Sequence, residues 1–391
     1  MSAYHEAFII DAVRTPMGRK GGTLSHLRAD QLAAAPLRAL VERTGIDPNL
    51  IEDVVMGCVT QVGEQGLNIA RNAALIAGLP IDVTGVSVNR MCGSSQQALN
   101  FAAMGVASGF QDIVIAAGVE NMSRIRMGAD MFYEGEMVTP SPEMAWRYTI
   151  VPQGISAELV AKRYGLDRAA LDAYSLQSHQ RAAAAQDAGA FDAEICPVTV
   201  TTPDGTVTMR RDEGIRRDTT LERLAKLKPA FQDDGVITAG SASQISDGAS
   251  AVLLASAAAV KQYGLKPRAR ILSMATAGCD PTIMLTAPVP ATQKALARVQ
   301  MKMRDIDLVE INEAFASVAL GCGGELGFDF DKTNVHGGAI ALGHPLGASG
   351  CRLMTTLLHA LERRDQRFGL STMCIGFGQG IATLIDREIY V

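Results

Sequence analysis

Two cysteines and one histidine stand in long segments of the chain that carry no charged residue. Asp, Glu, Lys and Arg are absent from 91–111, 333–351 and 368–385, which are 21, 19 and 18 residues long. These segments contain Cys92, His344 and Cys374. Burying an unpaired charge is costly, so charge-free runs indicate segments inside the protein. Thiols and imidazoles act as nucleophiles or as acid–base groups, and their concentration in buried, glycine-rich segments is the first indication of catalytic chemistry.

The sequence around Cys92 predicts a strand, a tight turn and a helix, with the cysteine at the turn. Residues 89–95 are N-R-M-C-G-S-S. Free N–H groups and the positive end of the helix dipole favour a thiolate there, which predicts a lowered pKa for Cys92. Backbone N–H groups at such a turn can also hold an oxyanion. The alternative is a buried structural cysteine, a common state of free Cys.

His344 is followed by proline and surrounded by glycines within 337–350, G-G-A-I-A-L-G-H-P-L-G-A-S-G. The glycines allow other backbone or a ligand to approach closely. The alternative is a hydrogen-bonded buried histidine. The glycine order differs from the G-x-G-x-x-G of a first βα turn, which argues against NAD binding.

Cys374 and Asn312 lie at the ends of two predicted strands. Alternating glycines follow Cys374, which could act as an acid–base group or be a core cysteine in a close-packed turn. Residues 310–315, E-I-N-E-A-F, bring two carboxylates and an amide to a strand end. These groups could orient a water or a histidine, and the alternative for Asn312 is a helix N-cap.

Short apolar runs alternate with alanine-rich helical patterns along most of the chain. The predicted strands are 7–11, 54–59, 87–89, 113–117, 308–311 and 370–374, and the predicted helices are 30–43, 95–108, 156–163, 290–298 and 350–362. Asp30 is the expected N-cap of the first helix. This alternation predicts an α/β fold with buried, mostly parallel strands. A weak internal repeat places a reactive residue, a small-residue helix and a buried strand in both halves, and residues 121–246 resemble a long substrate-covering insertion.

Composition excludes several classes of protein. The 391 residues predict two or three domains, and 48% hydrophobic with 20% charged residues is typical of a globular chain. A net charge of −5 argues against binding to nucleic acid or to an anionic membrane. The seven cysteines form no CxxC pair and no tight Cys/His cluster, which argues against a disulfide scaffold and a structural zinc site. The charge-free segments are too polar and too rich in glycine to span a membrane. No secretion signal, retention tripeptide or peroxisomal tripeptide is visible, so a cytoplasmic location is expected.

Taken together, these segments resemble the thiolases, specifically the 3-ketoacyl-CoA and acetyl-CoA acyltransferases. The resemblance covers essentially the whole chain and rests on R-T-P-M-G at 14–18, C-G-S-S at 92–95, T-A-G-S at 238–241, N-E-A-F at 312–315 and the His344 and Cys374 segments. It implies an α/β, thiolase-like fold of two similar βαβ-type halves, packed as a layered core, with an inserted loop domain. The implied limits are 1–121 plus about 246–268 for the N-terminal core, 122–245 for the loop domain and 269–391 for the C-terminal core.

The resemblance also implies a role for each catalytic residue. Cys92 is the nucleophile that becomes an acyl-thioester, and His344 activates Cys92 and contributes to an oxyanion hole. Asn312 holds the water of that hole, and Cys374 is the general acid and base. The backbone N–H groups of Cys92 and Gly376 form a second oxyanion hole.

Substrate contacts are implied in the same way. Arg216 is expected near the nucleotide of CoA and Ser243 near its pantetheine, with Met284, Gln153 and Phe315 as further substrate-binding residues. Residues 209–228 hold seven basic and four acidic side chains, a balance of +3, which suits a phosphate-bearing ligand. For the other basic residues a solvated surface is the alternative. No metal and no redox cofactor are implied, because CoA is a substrate. The expected partners are acyl-CoA and CoA, with a homodimer or homotetramer, or a hydratase/dehydrogenase partner subunit.

The chain departs from short-chain biosynthetic thiolases near the acyl group. Pro152 and Gln153 replace a His-Met pair, and Leu285 and Ala287 replace glycines. This favours degradative thiolysis of 3-ketoacyl-CoA, of the β-oxidation type, and the alternative is a biosynthetic acetoacetyl-CoA thiolase that condenses two acetyl-CoA. A decarboxylating ketosynthase and a non-catalytic acyl-CoA-binding subunit are the rival classes, and Cys374 together with the intact Cys92 and His344 argues against them.

Overall fold

The computed structural model describes residues 6–138 and 140–390. Its strands are β1 (Ala7–Arg14), β2 (Gly18–Arg19), β3 (Asp53–Gly57), β4 (Thr84–Val88), β5 (Ile113–Asn121), β6 (Phe132–Tyr133), β7 (Glu136–Met137), β8 (Val198–Thr202), β9 (Gly205–Met209), β10 (Ser246–Ser256), β11 (Ala269–Gly278), β12 (Leu308–Ile311), β13 (Phe368–Ile375) and β14 (Gln379–Asp386). Its α-helices are α1 (Ala29–Thr44), α2 (Ile69–Ala77), α3 (Ser94–Ala107), α4 (Pro142–Arg147), α5 (Gln153–Arg163), α6 (Arg168–Asp187), α7 (Leu221–Ala225), α8 (Ala257–Tyr263), α9 (Pro288–Arg298), α10 (Ala316–Leu326), α11 (Ala339–Leu342) and α12 (Ser349–Arg363).

One large sheet runs through both halves in the order β4-β3-β5-β10-β1-β11-β14-β13-β12, and β2 pairs with β10. The halves join where β1 pairs with β11. The pairs β3–β4, β3–β5 and β12–β13 are parallel, and the remaining pairs of this sheet in the described residues are antiparallel. The expectation of mostly parallel strands is therefore wrong. The chain returns from β13 to β14 through a tight turn, and such a turn can join only antiparallel neighbours.

The two halves repeat the same arrangement. In the first, β3 is parallel to β5, which is antiparallel to β10, which is antiparallel to β1. In the second, β12, β13, β14 and β11 follow the same order and directions. The helices that follow the two reactive segments, α3 and α12, cross where the backbone N–H of Cys351 donates to Ser95 Oγ at 3.0 Å. The predicted internal repeat is confirmed.

Both faces of the sheet are buried. In β1, Phe8 and Ile10 contribute to the apolar cluster shared with α1 and α2, and Ile9 contributes to the cluster shared with α3 and α12. Successive strand residues point to opposite faces, so a fully apolar strand requires helices on both sides. This layered α/β packing is the predicted architecture.

Most predicted elements are present, but Asp30 is not an N-cap. Helix α1 begins at Ala29, Arg28 occupies the N-cap position, and no side chain at that position caps the helix. Glu64 accepts a hydrogen bond from the backbone N–H of Ala29 at 2.9 Å. The free N–H group is thus satisfied from a distant segment, which local sequence patterns do not reveal.

The segment between β5 and β10 holds α4–α7 and the hairpins β6–β7 and β8–β9. Within the part of it that the structure describes, it adds no strand to the large sheet. The expected insertion is therefore present, and the exact domain limits stay a prediction. None of the helices formed by the described residues is long and apolar enough to cross a membrane. The expectations about terminal signals fall partly on residues 1–5 and 391, outside the described residues.

Candidate active site

Segments from both halves meet at one buried site. Cys92 lies in an apolar cluster that also contains Leu346, two residues after His344, and Ile375, next to Cys374. Cys92 is 5% exposed, His344 is 4% exposed and Cys374 is 1% exposed. The three residues singled out from the sequence are therefore brought together.

Cys92 stands between β4 and α3 at a sharp reversal of the chain. Met91 has a φ of 46°, and Gly93 is the N-cap residue of α3. A side chain at Gly93 would collide with Ile375, so glycine allows the two segments to meet. The backbone N–H groups of Cys92 and Gly376 and the side-chain amide of Gln153 face the Cys92 sulfur, and each lowers the pKa of its thiol. The two backbone donors predicted for the second oxyanion hole thus face the same sulfur.

Burial controls the protonation state of Cys92. It raises the pKa of the thiol to about 11, and the three N–H donors lower this pKa only in part. The nearby carboxyl group of Glu120 acts in the same direction as burial. The predicted lowering of the Cys92 pKa is wrong, because loss of solvent outweighs the N–H groups at the start of α3. The resting site holds a thiol that needs a base.

The hydrogen bonds of His344 assign its tautomer. Nδ1 lies 2.6 Å from Ser349 Oγ, which lies 2.8 Å from the carbonyl oxygen of Pro345. The hydroxyl has one proton, which it donates to the carbonyl, so Nδ1–H donates to Ser349 and Nε2 keeps its lone pair. Burial, together with the charge of Arg352, lowers the pKa of His344 to about 3. His344 is therefore a neutral imidazole whose Nε2 is unprotonated, and Ser349, which was not predicted, orients the ring.

Asn312 follows β12 directly and contacts the histidine. Its Nδ2 donates to His344 Nε2 at 3.3 Å, and its backbone N–H donates to the carbonyl oxygen of Thr372 at 3.0 Å. Among the described residues its buried Oδ1 has no hydrogen-bond partner. The N-cap residue of α10 is Phe315. The N-cap interpretation of Asn312 is therefore wrong, and its free oxygen is available to a water or a substrate.

Cys374 lies near the end of β13 and pairs with Gly380 of β14. Burial raises the pKa of its thiol well above the ordinary value, and a charge on Cys92 would raise it further. Cys374 is therefore protonated at neutral pH, as a proton donor must be. The turn after it contains Phe377 and Gly378 with φ values of 60° and 76°.

The predicted acyl-side residues surround this site. Gln153, the first residue of α5, contacts Cys92. Met284 and Phe315 are buried in an apolar cluster that includes Cys374. The backbone N–H of Ser243 donates to the carbonyl oxygen of Ala314 at 2.9 Å, which holds the Ser243 loop beside Phe315.

Arg216 lies outside the buried site, on the exposed surface of the insertion. Its backbone N–H donates to His179 Nδ1 at 3.1 Å. Arg217 and Arg223 form ion pairs with Asp187 and Asp218. The other basic residues of 209–228 form no ion pair with the described part of the chain, so this surface can hold phosphate groups. Residues 6–138 and 140–390 contain no group of three or more His, Cys, Asp or Glu arranged to hold a metal ion.

A buried carboxylate that the sequence did not single out ties the site loops together. Glu120 accepts hydrogen bonds from the backbone N–H groups of Val59, Thr60 and Gly347 at 2.9, 3.0 and 2.9 Å, and from Gln65 Nε2 at 2.7 Å. Gly347 lies within the His344 segment, so Glu120 fixes that segment to the first half. A carboxylate ending an otherwise apolar strand, G-V-E at 118–120, is the signal that could have indicated it.

Glu313, in the second half, is another buried carboxylate that holds segments of the site together. It accepts hydrogen bonds from Tyr174, Ser178 and Asn334 at 3.0, 2.7 and 3.0 Å, and from the backbone N–H of Ile340 at 3.1 Å. It therefore links α6 of the insertion to Asn334 and to α11, the short helix that precedes His344. The sequence marked Glu313 within the 310–315 run, but not its partners.

Comparison with known proteins agrees with this arrangement. Residues 7–258 match the family model "Thiolase, N-terminal domain" and residues 265–387 match "Thiolase, C-terminal domain". Among curated proteins, the beta-ketoadipyl-CoA thiolase of Pseudomonas aeruginosa is 50% identical, with 98% of this chain and 99% of that protein covered. The 3-ketoacyl-CoA thiolase of Erwinia tasmaniensis is 48% identical, with 97% and 98% covered.

Solved structures show the same fold. The acetyl-CoA acetyltransferase of Bacillus anthracis matches with a TM-score of 0.92 at 38% identity, covering 99% of this chain and 100% of that one. The human mitochondrial 3-ketoacyl-CoA thiolase matches with a TM-score of 0.90 at 38% identity and the same coverage. By its two matched domains, its relatives and its fold, the chain belongs to the thiolase family of acyltransferase enzymes.

Proposed function

We propose that this thiolase cleaves 3-ketoacyl-CoA with CoA, releasing acetyl-CoA and a shortened acyl-CoA through an acyl-Cys92 intermediate. One observation supports this most directly. The two halves bring a thiol that faces N–H groups, a neutral imidazole with an unprotonated Nε2 and a second, protonated thiol into one buried site. Nucleophile, base and acid are the groups that covalent acyl transfer needs.

In the first half-reaction, the proton of Cys92 passes to His344 Nε2 and the sulfur attacks the 3-keto carbon. The carbon–carbon bond then breaks, leaving acetyl-CoA as an enolate and the acyl group on Cys92. His344 and a water held by Asn312 stabilise the enolate oxygen. Cys374 gives its proton to the enolate carbon and becomes a thiolate.

In the second half-reaction, the Cys374 thiolate takes the proton of the incoming CoA thiol. The CoA sulfur attacks the thioester carbonyl, and the N–H groups of Cys92 and Gly376 stabilise the resulting oxyanion. The tetrahedral adduct collapses, the acyl group leaves on CoA, and Cys92 regains its proton from His344. No metal and no redox cofactor takes part in this scheme.

The insertion and the chain's composition support the rest of the proposal. Arg216 and its unpaired basic neighbours suit the CoA phosphates, and Ser243, beside Phe315, suits the pantetheine. All seven cysteines are free, which suits a reducing cytoplasm. A homodimer or homotetramer is the proposed assembly, with a hydratase/dehydrogenase partner subunit as the alternative.

Two kinds of acyl chain are favoured by different observations. Met284 and Phe315 are buried and apolar, which favours a medium-length aliphatic chain of the β-oxidation type, whereas Leu285 in place of a glycine favours a shorter pocket. The 50% identical relative is named for beta-ketoadipyl-CoA, which favours a chain that ends in a carboxylate. The biosynthetic alternative, condensation of two acetyl-CoA, has support from the 38% identical acetyl-CoA acetyltransferase.

A substrate series tests the proposal. Loss of the enolate absorbance of acetoacetyl-CoA, of longer 3-ketoacyl-CoA and of 3-oxoadipyl-CoA is followed with CoA present. Each buried CH₂ contributes about 0.8 kcal/mol, so kcat/KM is expected to rise with chain length beyond acetoacetyl-CoA. A maximum of kcat/KM at acetoacetyl-CoA would place the protein with the short-chain thiolases. A maximum at 3-oxoadipyl-CoA would establish a substrate whose acyl chain ends in a carboxylate. Cleavage of none of them would overturn the proposal.

A further inference from the structure

A side-chain amide faces the Cys92 sulfur together with two backbone N–H groups, and each of the three lowers the pKa of the thiol. The backbone donors, Cys92 and Gly376, are fixed by the course of the chain. The side-chain donor is Gln153, which comes from the insertion and not from either half of the core. Its Nε2 lies 3.3 Å from the position of an ideal Cβ on Gly376, so the amide stands beside the turn that supplies the second backbone donor.

The start of α5 holds Gln153 in place. Ser156 Oγ donates to the carbonyl oxygen of Thr282 at 2.5 Å, one turn after Gln153. The carboxylate of Glu158 accepts from the backbone N–H groups of Val236 and Ile237 at 2.9 and 2.8 Å. These contacts anchor the first turns of the helix to two other segments, so the amide of Gln153 is preorganised.

The charged and titratable groups around the Cys92 sulfur do not stabilise a thiolate in the resting enzyme. Glu120 opposes ionisation of Cys92, His344 is neutral at rest, and Cys374 is a protonated thiol. When the proton of Cys92 passes to His344, the negative charge on the sulfur is stabilised by the new imidazolium and by the N–H groups that face it. A hydrogen bond to an ionised group contributes more than one between neutral groups.

We propose that Gln153 is a catalytic residue whose Nε2–H group donates to the Cys92 sulfur and stabilises the thiolate formed when His344 takes the proton. This inference rests on the proposed function, in which Cys92 is the nucleophile. It gives Gln153 a role in the chemistry, beyond the substrate contact that the sequence implied.

The test compares Gln153→Met, which removes the donor, with Gln153→Glu, which keeps the shape and replaces the donor by a carboxylate. The rate of Cys92 alkylation by iodoacetamide is measured at pH 7, 8 and 9 by mass spectrometry. Losing one hydrogen bond to an anion raises a thiol pKa by about one unit, and the higher nucleophilicity of the more basic thiolate offsets part of the loss. The Met variant is therefore expected to react about 3- to 10-fold more slowly, and the Glu variant more slowly again. The matched control is Gln180→Met, an exposed position on α6.

The outcomes distinguish the role of Gln153 from the assignment of Cys92 as the nucleophile. If wild-type Cys92 reacts and the order is Gln, then Met, then Glu, with kcat/KM for thiolysis falling in the same order, the role of Gln153 is established. If Gln153→Glu reacts like wild type, the amide does not act on the sulfur and only this inference fails. If wild-type Cys92 is not alkylated and the enzyme still cleaves substrate after full alkylation elsewhere, the nucleophile assignment fails as well.

Discussion

At the residue scale, burial determines the protonation states of Cys92, His344 and Cys374. It raises the pKa of the Cys92 and Cys374 thiols and lowers that of the His344 imidazole, so all three are neutral at rest. A neutral acid and a neutral base next to each other can exchange a proton when substrate arrives. In the resting enzyme these three side chains therefore carry no charge, and a charge forms only when a proton is transferred.

Replacing Cys374 by serine separates the two half-reactions. Because the hydroxyl is a far weaker acid, Cys374→Ser is expected to cleave 3-ketoacyl-CoA about 10²- to 10⁴-fold more slowly. It should still accept an acyl group from a reactive acyl-CoA, since Cys92 is intact. Thiolysis rates and the mass of the acylated protein check this. The control is Cys196→Ser, another buried cysteine. Near-normal thiolysis by Cys374→Ser would show that the acid lies elsewhere.

Arg216 offers a second test at this scale. Arg216→Ala is expected to raise KM for CoA with a smaller change in kcat, because a phosphate contact is equal in the ground and transition states. A pantetheine substrate without the nucleotide should be affected less. Arg217→Ala is the control, since Arg217 is paired with Asp187. An equal effect of Arg216→Ala on both substrates would make Arg216 structural.

At the scale of elements, the crossing of α3 and α12 positions both reactive segments. An ideal Cβ on Gly350 would lie 2.6 Å from the Cβ of Gln96 and would collide with its backbone nitrogen. Helices approach this closely only where small residues face each other. The crossing therefore depends on Gly350.

Gly350→Ala is expected to lower the free energy of unfolding by about 1–3 kcal/mol, the usual cost of overpacking. The matched control is Gly324→Ala in α10, where a Cβ would have no neighbour within 4 Å. The control should gain about 0.5–1 kcal/mol, because alanine is the better helix former. Urea unfolding of both variants measures the difference. Equal stabilities would contradict the close crossing.

The helices and strands were largely predictable from the sequence, but the residues that cap them and the relative directions of paired strands were not. The strand over 308–311 is observed with the predicted limits, because a short apolar run between turn signals has few other solutions. The cap of α1 comes from Glu64, which is distant in sequence, and the direction of β14 relative to β13 depends on a turn with positive φ values. Such properties arise from tertiary contacts, which hydrophobic patterns do not encode.

At the scale of the whole molecule, buried ionisable side chains tie the insertion to the first half and pack elements of the second half together. Arg14 of β1 pairs with Glu194 and Asp212 at 2.5 and 2.7 Å. Arg352 of α12 lies 3.4 Å from Glu310 of β12, and both side chains are almost fully buried. Removing an acidic partner of Arg14 would leave an uncompensated buried charge, which is strongly destabilising.

Glu310 makes stability depend on pH. Burial raises its pKa from 4.5 to about 8, so the folded protein binds a proton that the unfolded chain has released. Stability from this group is therefore present below 4.5 and is lost as pH rises to about 8. In Arg352→Met the free energy of unfolding should fall more steeply with pH, because the charge that favours ionised Glu310 is gone. In Glu310→Gln this pH dependence should disappear. Urea unfolding at pH 5.5 and pH 8 compares the slopes, and identical slopes in all three proteins would contradict the assignment.

The site was predictable as a set of reactive residues but not as a network. Cys92, His344 and Cys374 stand out as reactive groups in glycine-rich, charge-free segments, and Asn312 stands out between two carboxylates at a strand end. Ser349 and Glu120 were missed, since one is an ordinary helix residue and the other ends an apolar strand. Ser349 contacts His344, only five residues away in sequence, whereas the contact of Glu120 with Gly347 of the second half depends on the fold.

Trapping the acyl group tests the central claim most directly. The protein is mixed with a 3-ketoacyl-CoA in the absence of CoA, quenched in acid and digested, and the peptides are weighed by mass spectrometry. An acyl group two carbons shorter than the substrate chain is expected on the peptide that contains Cys92, and it should be removed when CoA is added before the quench. An acyl group on another residue, or thiolysis with no acylated peptide, would contradict it.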